Sequence, residues 1–150
     1  MNELVAALRI ALGNVFVMYF KAHVYHWNVE GPNFNDYHGY FATVYEDVYD
    51  SIDPIAENIR KAGEYAPFSL DNLYSTKTAQ EDLAVQSNYT TMFNNLIAVN
   101  DDVIAALMKV NEIAARSGEP GLAQFTAERI DAHKKHAWQL KSLAKTHTGT

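Results

Sequence analysis

The segment AHVYHWNVEGPNFNDYH, residues 22–38, decides the fold because it places a Gly-Pro turn between two helical patterns. Apolar residues recur at helical spacing from Leu4 up to this segment, which predicts one long first helix. Gly31 favours the left-handed conformation that ends a helix, and Pro32 lacks the N–H that would continue it. We therefore expect the first helix to end near Glu30 and a second helix to follow a short turn.

Three further helical patterns follow this turn. Asn33 and Asp36 form a capping pair at the start of the second helix, and Pro120 is a favoured first residue for the fourth. The predicted helices span about residues 4–30, 33–62, 83–117 and 120–144. The connection over residues 64–82 contains a proline and several turn residues, so it predicts a crossover loop with room for one helical turn.

These elements predict an all-α, ferritin-like four-helix bundle, in which a long crossover with a short extra helix joins the second and third helices. The length of 150 residues suits a single domain spanning residues 1–150. The first helix is apolar on almost every face, since only Arg9 and Lys21 are charged between Val5 and Val29. One face on the bundle core cannot account for this, so we expect a symmetric homo-oligomer to cover the rest.

The composition excludes several classes of function. The chain has no cysteine, which removes thiolate catalysis and cysteine-type zinc sites and fits a reducing compartment. Its 12 Lys and Arg against 18 Asp and Glu give a net charge of -6, which disfavours binding to phosphate. Glu3 and Arg9 interrupt the apolar N-terminal run, so neither an export signal nor a membrane span is predicted. We expect a soluble cytoplasmic protein.

Four side chains are candidate metal ligands. His26 and His38 flank the short turn and could meet, while Asp53 and Glu57 lie four residues apart on one helix face. Asp53 precedes Pro54, so an alternative reading makes Asp53 the N-cap of a restarted helix. His38 and Asp53 are fifteen residues apart, about 22 Å along a straight helix, too far to share one ion. The histidine pair and the carboxylate pair would then each be a half-site with two ligands. A two-fold axis between subunits could bring the histidine pair of one subunit to the carboxylate pair of the other, giving two equivalent centres.

Other metal arrangements are absent or weaker. No histidine has a glutamate three residues before it, which excludes the intrasubunit di-iron pattern of four-helix bundles. The His-Glu-x-x-His pattern of zinc proteases is missing too. The pairs His23/His26 and His133/His136, each three residues apart, leave open a zinc-binding helical bundle. A buried, hydrogen-bonded imidazole is the common alternative for any one of them.

The chain resembles the Dps mini-ferritins, the DNA-binding proteins from starved cells, over about residues 4–145. The resemblance is carried by HWNVEGPNF at 26–34, His38, DPIAE at 53–57 and ERIDAHKKHAW at 128–138. It implies a hollow homododecamer with ferroxidase centres between subunits. Such centres oxidise Fe(II), preferably with hydrogen peroxide rather than dioxygen, and the Fe(III) is stored in the hollow shell, which protects against oxidative damage. The implied iron ligands are His26 and His38 from one subunit and Asp53 and Glu57 from its two-fold mate, with zinc as an alternative metal.

The chain departs from the family at two places. The family commonly has an acidic residue four positions after the second histidine, where this chain has Ala42. A second iron would then need Glu46, Asp47 or Asp50 as a substitute ligand. The sequence begins MNELVAAL without a lysine-rich tail, so we expect weak or no DNA binding. The alternative function is a Dps-like cage with reduced iron chemistry that acts as a structural or nucleoid-binding particle.

Overall fold

The computed structural model describes residues 2–145, in which two helical hairpins pack side by side. The helices are α1 (Asn2–Asn28), α2 (Phe34–Asp50), α3 (Ile52–Lys61), α4 (Leu70–Tyr74), α5 (Tyr89–Arg116) and α6 (Pro120–Ala144). Helix α1 packs against α2, α3 and α5, and α5 packs against α6. No strand occurs among these described residues. The predicted all-α bundle with a helix-bearing crossover is confirmed.

The turn after α1 forms as its sequence predicts. Helix α1 ends at Asn28, and Gly31 has the positive φ of 120° that favours glycine. The amide of Phe34 donates to the Gly31 carbonyl at 3.1 Å, which closes the turn. Asn33 occupies the N-cap position of α2, but its side chain makes no capping hydrogen bond. The start of α2 therefore depends more on the tight turn than on the predicted cap.

The second long helix is interrupted at Ser51, which separates α2 from α3. Pro54 has no N–H to donate to the carbonyl of Asp50, so the regular helical ladder fails there. The Ser51 amide and hydroxyl both donate to the Val48 carbonyl, at 3.1 and 2.7 Å. Ser51, not Asp53, occupies the N-cap position of α3, so the reading of Asp53 as an N-cap is wrong.

Helix α5 begins at Tyr89 rather than near Leu83 as predicted. The chain before it is held against α1, because Lys21 forms an ion pair with Asp82 at 2.9 Å. Asn88 then caps α5 by accepting a hydrogen bond from the Thr91 amide at 3.1 Å. Residues 83–87, between these two anchors, are not helical. The periodicity of the sequence could not show that α5 begins only after them.

A buried asparagine holds the crossover against α1. Asn14 donates to the Thr78 hydroxyl at 2.8 Å and accepts from the amides of Thr78 and Ala79 at 2.8 and 2.9 Å. Beside it, a Cβ at Gly13 would lie 3.1 Å from the Leu73 carbonyl oxygen, so glycine permits this close approach. Asn14 and Gly13 thus hold the crossover close to the otherwise apolar helix α1.

Helix α1 is apolar because it is a core helix. By length and composition the described segment Glu3–Asn28, with a mean hydropathy of 1.6, could cross a membrane, contrary to the sequence expectation. However, 61% of its most apolar window is buried inside the bundle. Its apolar surface is therefore used largely for packing within the chain.

A buried polar network joins α2, α5 and α6. Arg129 donates two hydrogen bonds to the Asp47 carboxylate, both at 2.9 Å, and His136 Nε2 donates to the same carboxylate at 2.7 Å. His133 Nδ1 contacts the Asn100 side-chain oxygen at 2.8 Å, while the Asn100 amide donates to the His133 carbonyl at 2.9 Å. Burial raises the pKa of Asp47, but the bonds from His136 and Arg129 outweigh it and hold that pKa well below its usual value.

His133 makes the stability of the bundle depend on pH. Burial and the charge of Arg129 lower the pKa of His133 from 6.5 to about 3. Below pH 6.5 the unfolded chain binds a proton that the folded chain excludes, so the free energy of unfolding falls as pH falls. For one group this slope approaches about 1.4 kcal/mol per pH unit. We expect His133→Gln to be less stable at neutral pH and to lose this slope.

Urea unfolding at several pH values between 7 and about 4 measures the effect. Lys134→Gln, an exposed change at the neighbouring position, is the control and should keep the native slope. An unchanged slope in His133→Gln would show that other groups carry the pH dependence.

Candidate metal centre

The turn between α1 and α2 brings His26 and His38 into contact. His26 Nδ1 lies 2.7 Å from the His38 carbonyl oxygen, and His38 Nδ1 lies 2.6 Å from the His26 carbonyl oxygen. The two rings are stacked, with centroids 3.7 Å apart and planes 15° apart. A carbonyl oxygen can only accept, so both Nδ1 atoms carry hydrogen and donate.

This pair of reciprocal bonds fixes the chemistry of both imidazoles. With Nδ1 protonated, each neutral ring has its lone pair on Nε2, the atom that binds a metal. A hydrogen bond from the other ring nitrogen to a carbonyl is the usual way in which proteins orient a ligating histidine. The stacked rings, with centroids 3.7 Å apart, form one compact pair of potential nitrogen ligands.

Aromatic rings surround the histidine pair. Phe34 stacks on His38 with centroids 4.8 Å apart, and Tyr45 meets the edge of His26 at 5.2 Å. Trp27, next to His26, remains 56% exposed in the single chain. The rings cover part of the histidine pair, and His26 and His38 are both half-buried in the single chain.

Asp53 and Glu57 are exposed and lie one turn apart at the start of α3. The structure thus brings His26 and His38 together, but it does not bring the carboxylates to them within one chain. No group of three or more His, Asp or Glu side chains within residues 2–145 is arranged to hold a metal ion. Any site using all four side chains requires a second copy of the chain.

The alternative zinc pairs are already engaged in other contacts. Both ring nitrogens of His133 have partners, the Asn100 oxygen and an Arg129 nitrogen at 3.2 Å. His136 Nε2 is bonded to Asp47, and His23 Nδ1 to the Tyr19 hydroxyl at 3.0 Å. The His133/His136 pair can therefore chelate a metal only if the buried network breaks.

The three acids considered as substitutes at Ala42 do not share one environment. Asp47 faces the bundle interior, where Arg129 and His136 hold it, so it is not available as a surface ligand. Glu46 and Asp50 are exposed and line an open cavity of about 510 Å³. The other lining residues of this cavity are Tyr19, His23, Tyr45 and Tyr49.

Sequence reasoning missed this cluster of tyrosines. A signal was present, because Tyr45 and Tyr49 follow His38 by seven and eleven residues and so share its helix face. On α1, Tyr19 and His23 precede His26 by seven and three residues and share its face in the same way. The two stripes meet between α1 and α2, directly beside the histidine pair.

Comparison with known proteins defines the class. The family model of the ferritin-like domain matches residues 5–148. The DNA protection during starvation protein of Halobacterium salinarum is 30% identical over an alignment of 138 residues, and the match covers 88% of this chain and 75% of that protein. The fold and the family match define a ferritin-like protein.

Solved Dps structures are similar to this chain in both fold and sequence. The Dps structure from Thermosynechococcus elongatus has 28% identity and a TM-score of 0.89, covering 99% of this chain and 94% of that one. Dps from Staphylococcus aureus has 25% identity and a TM-score of 0.90, covering 98% of each chain. The chain belongs to the Dps family of mini-ferritins, as its histidine-rich turn indicated.

Proposed function

We propose that the protein is a ferroxidase that oxidises Fe(II) at centres between subunits and stores Fe(III) inside a hollow homododecamer. His26 and His38 of one subunit bind the ion together with Asp53 and Glu57 of its two-fold mate. The observation that supports this proposal is the pair of reciprocal Nδ1–H bonds, which leaves Nε2 of both stacked imidazoles available to an ion. Zinc is a competing occupant of the same ligands.

The ligand set suits iron as a substrate. Two imidazoles with carboxylates are a mixed nitrogen and oxygen set of the kind that Fe(II) accepts. Asp53 and Glu57 supply negative charge, which favours the cation and favours Fe(III) still more. The net charge of -6 also attracts cations to the shell.

We propose hydrogen peroxide as the preferred oxidant, with dioxygen as a slower alternative. Two Fe(II) ions each give one electron, the O–O bond breaks, and two protons are taken up to form two water molecules. No hydroxyl radical leaves the site when both electrons arrive together. Fe(III) then hydrolyses and enters the interior of the shell as oxyhydroxide.

This chemistry would protect a cell from oxidative damage in the cytoplasm. The Halobacterium salinarum relative is named for DNA protection during starvation. We propose that this chain protects by removing iron and peroxide, since its charge of -6 opposes a direct contact with DNA phosphate. The alternative is a cage with reduced iron chemistry, which the missing carboxylate at Ala42 favours.

Titration of the assembled protein with peroxide under argon tests the proposal. We expect two Fe(II) oxidised per hydrogen peroxide, faster than with dissolved dioxygen, and little hydroxyl radical in a spin trap. Crystals soaked in Fe(II) should show anomalous scattering between His26, His38 and a neighbouring Asp53. One Fe(II) oxidised per peroxide with abundant trapped radical, as in free solution, would favour the alternative cage.

A further inference from the structure

A continuous set of aromatic rings leads away from His26 along the α1–α2 interface. Tyr45 lies 5.2 Å from His26 by ring centroids and stacks on His23 at 3.9 Å with planes 10° apart. Tyr19 follows, at 6.3 Å from Tyr45, and Tyr49 lies 5.1 Å from Tyr19. Rings at such separations are close enough for single electrons to pass between them.

Tyr19 differs from the other tyrosines of this set because it has a proton acceptor. Its hydroxyl lies 3.0 Å from His23 Nδ1, within the range for proton transfer, and donates when His23 carries its hydrogen on Nε2. Burial raises the pKa of Tyr19, so the phenol carries its proton at pH 7. A phenol gives up an electron much more readily when its proton can move at the same time.

The site itself creates a need for an additional electron. Hydrogen peroxide takes two electrons on its way to water, and one Fe(II) supplies only one. Ala42 has no oxygen or nitrogen ligand to offer a second ion beside the first. A singly occupied centre that meets peroxide would therefore release hydroxyl radical unless another donor lies nearby.

We propose that Tyr19 is this donor: it supplies the second electron through the ring of Tyr45 and passes its proton to His23. The proposal rests on the proposed ferroxidase function. Fe(II) and Tyr19 each lose one electron, the O–O bond breaks, and two solvent protons complete two water molecules. Fe(III), a neutral tyrosyl radical and protonated His23 result. A second Fe(II) then reduces the radical, and the proton returns from His23 to Tyr19.

The position of the cluster adds a second role. The proposed two-fold axis places His38 of one copy opposite Asp53 of the other. The axis then passes the chain midway between these two residues, between residues 45 and 46. Tyr45 and Tyr49 then lie near the axis, between the two centres. Tyr49, which is 56% exposed in the single chain, then lies opposite residue 42 of the other copy. A radical formed at one centre can accept its electron from Fe(II) bound at the other.

Freeze-quenched electron paramagnetic resonance tests the proposal in the assembled protein. With one Fe(II) per subunit and one equivalent of peroxide, we expect a transient tyrosyl radical whose spectrum changes when ring-deuterated tyrosine is incorporated. Tyr19→Phe keeps the ring and removes the hydroxyl. It should oxidise iron but lose the radical and release more spin-trapped hydroxyl radical. Tyr65→Phe, at a 77% exposed position outside the cluster, should behave as native protein.

An iron-free arm separates this proposal from the ferroxidase function. Photogenerated tris-bipyridine ruthenium(III) should produce the same radical in native protein and markedly less in Tyr19→Phe. The donor role alone would be overturned if native protein oxidised iron without forming a tyrosyl radical. It would also be overturned by a radical that persists in Tyr19→Phe or that resides on Trp27. Failure of native protein to oxidise Fe(II) would overturn the ferroxidase function and the donor role together, whatever the iron-free arm shows.

Discussion

Two inactive variants, when assembled together, should recover about a quarter of the native ferroxidase centres. One variant combines His26→Ala with His38→Ala and lacks the imidazoles. The other combines Asp53→Ala with Glu57→Ala and lacks the carboxylates. In a mixed pair of subunits, one centre loses all four ligands and the other keeps all four. Random pairing therefore leaves about one centre in four intact.

The expected contrast is large because each variant alone has no complete centre. Outer hydrogen-bond partners of a metal already contribute about 10- to 100-fold in affinity, and loss of two direct ligands should exceed this. Stopped-flow oxidation of Fe(II) by peroxide would fall to the rate of iron in buffer for each variant. A site built within one chain would give no recovery on mixing, so the recovery itself reports shared ligands.

Coexpression with two different affinity tags would supply the mixed shells. Asp101→Ala combined with Glu112→Ala is a control, since it removes two exposed acids of α5, neither of which is a proposed ligand. We expect this control to retain most of the native rate. A mixed shell as inactive as its parents, or an active Asp53/Glu57 variant, would contradict the intersubunit centre.

The sequence predicted those parts of the fold that depend on local chemistry. The Gly31-Pro32 turn ended α1 near the predicted residue because a positive φ and a missing N–H act on the chain directly. Pro120 likewise began α6 where predicted. The contact between His26 and His38 could be anticipated, since a short turn leaves the two helix ends few other arrangements.

Other parts depend on residues distant in sequence and were not predicted. The sequence presents Asp47 as one acid in an acidic run, but its environment is set by Arg129, 82 positions later. The start of α5 was placed six residues early because the anchor between Lys21 and Asp82 spans 61 positions. The tyrosines of the cluster show helical spacing on each helix separately. The contacts between their rings, however, arise only where α1 and α2 face each other.

The second large effect concerns the ion pair between Asp47 and Arg129. We expect Asp47→Ala to lower the free energy of unfolding by about 3 kcal/mol, the lower end for breaking a buried pair. The lower end applies because the Asp47 side chain is still 37% exposed, whereas that of Arg129 is only 13% exposed. Without its carboxylate, the Arg129 guanidinium would be left mostly buried with no counter-charge, and His136 would lose its acceptor.

Removal of both partners should be milder than removal of one. Asp47→Ala with Arg129→Met eliminates the unpaired charge, so we expect the double variant to recover part of the stability lost by Asp47→Ala alone. Denaturant unfolding of the iron-free protein over a full double-mutant cycle measures this coupling. The exposed pair of Arg116 with Glu3, whose side chains are 52% and 57% exposed, provides a control worth about 0–1 kcal/mol. Additive losses at Asp47 and Arg129 would show that solvent, rather than the ion pair, compensates these charges.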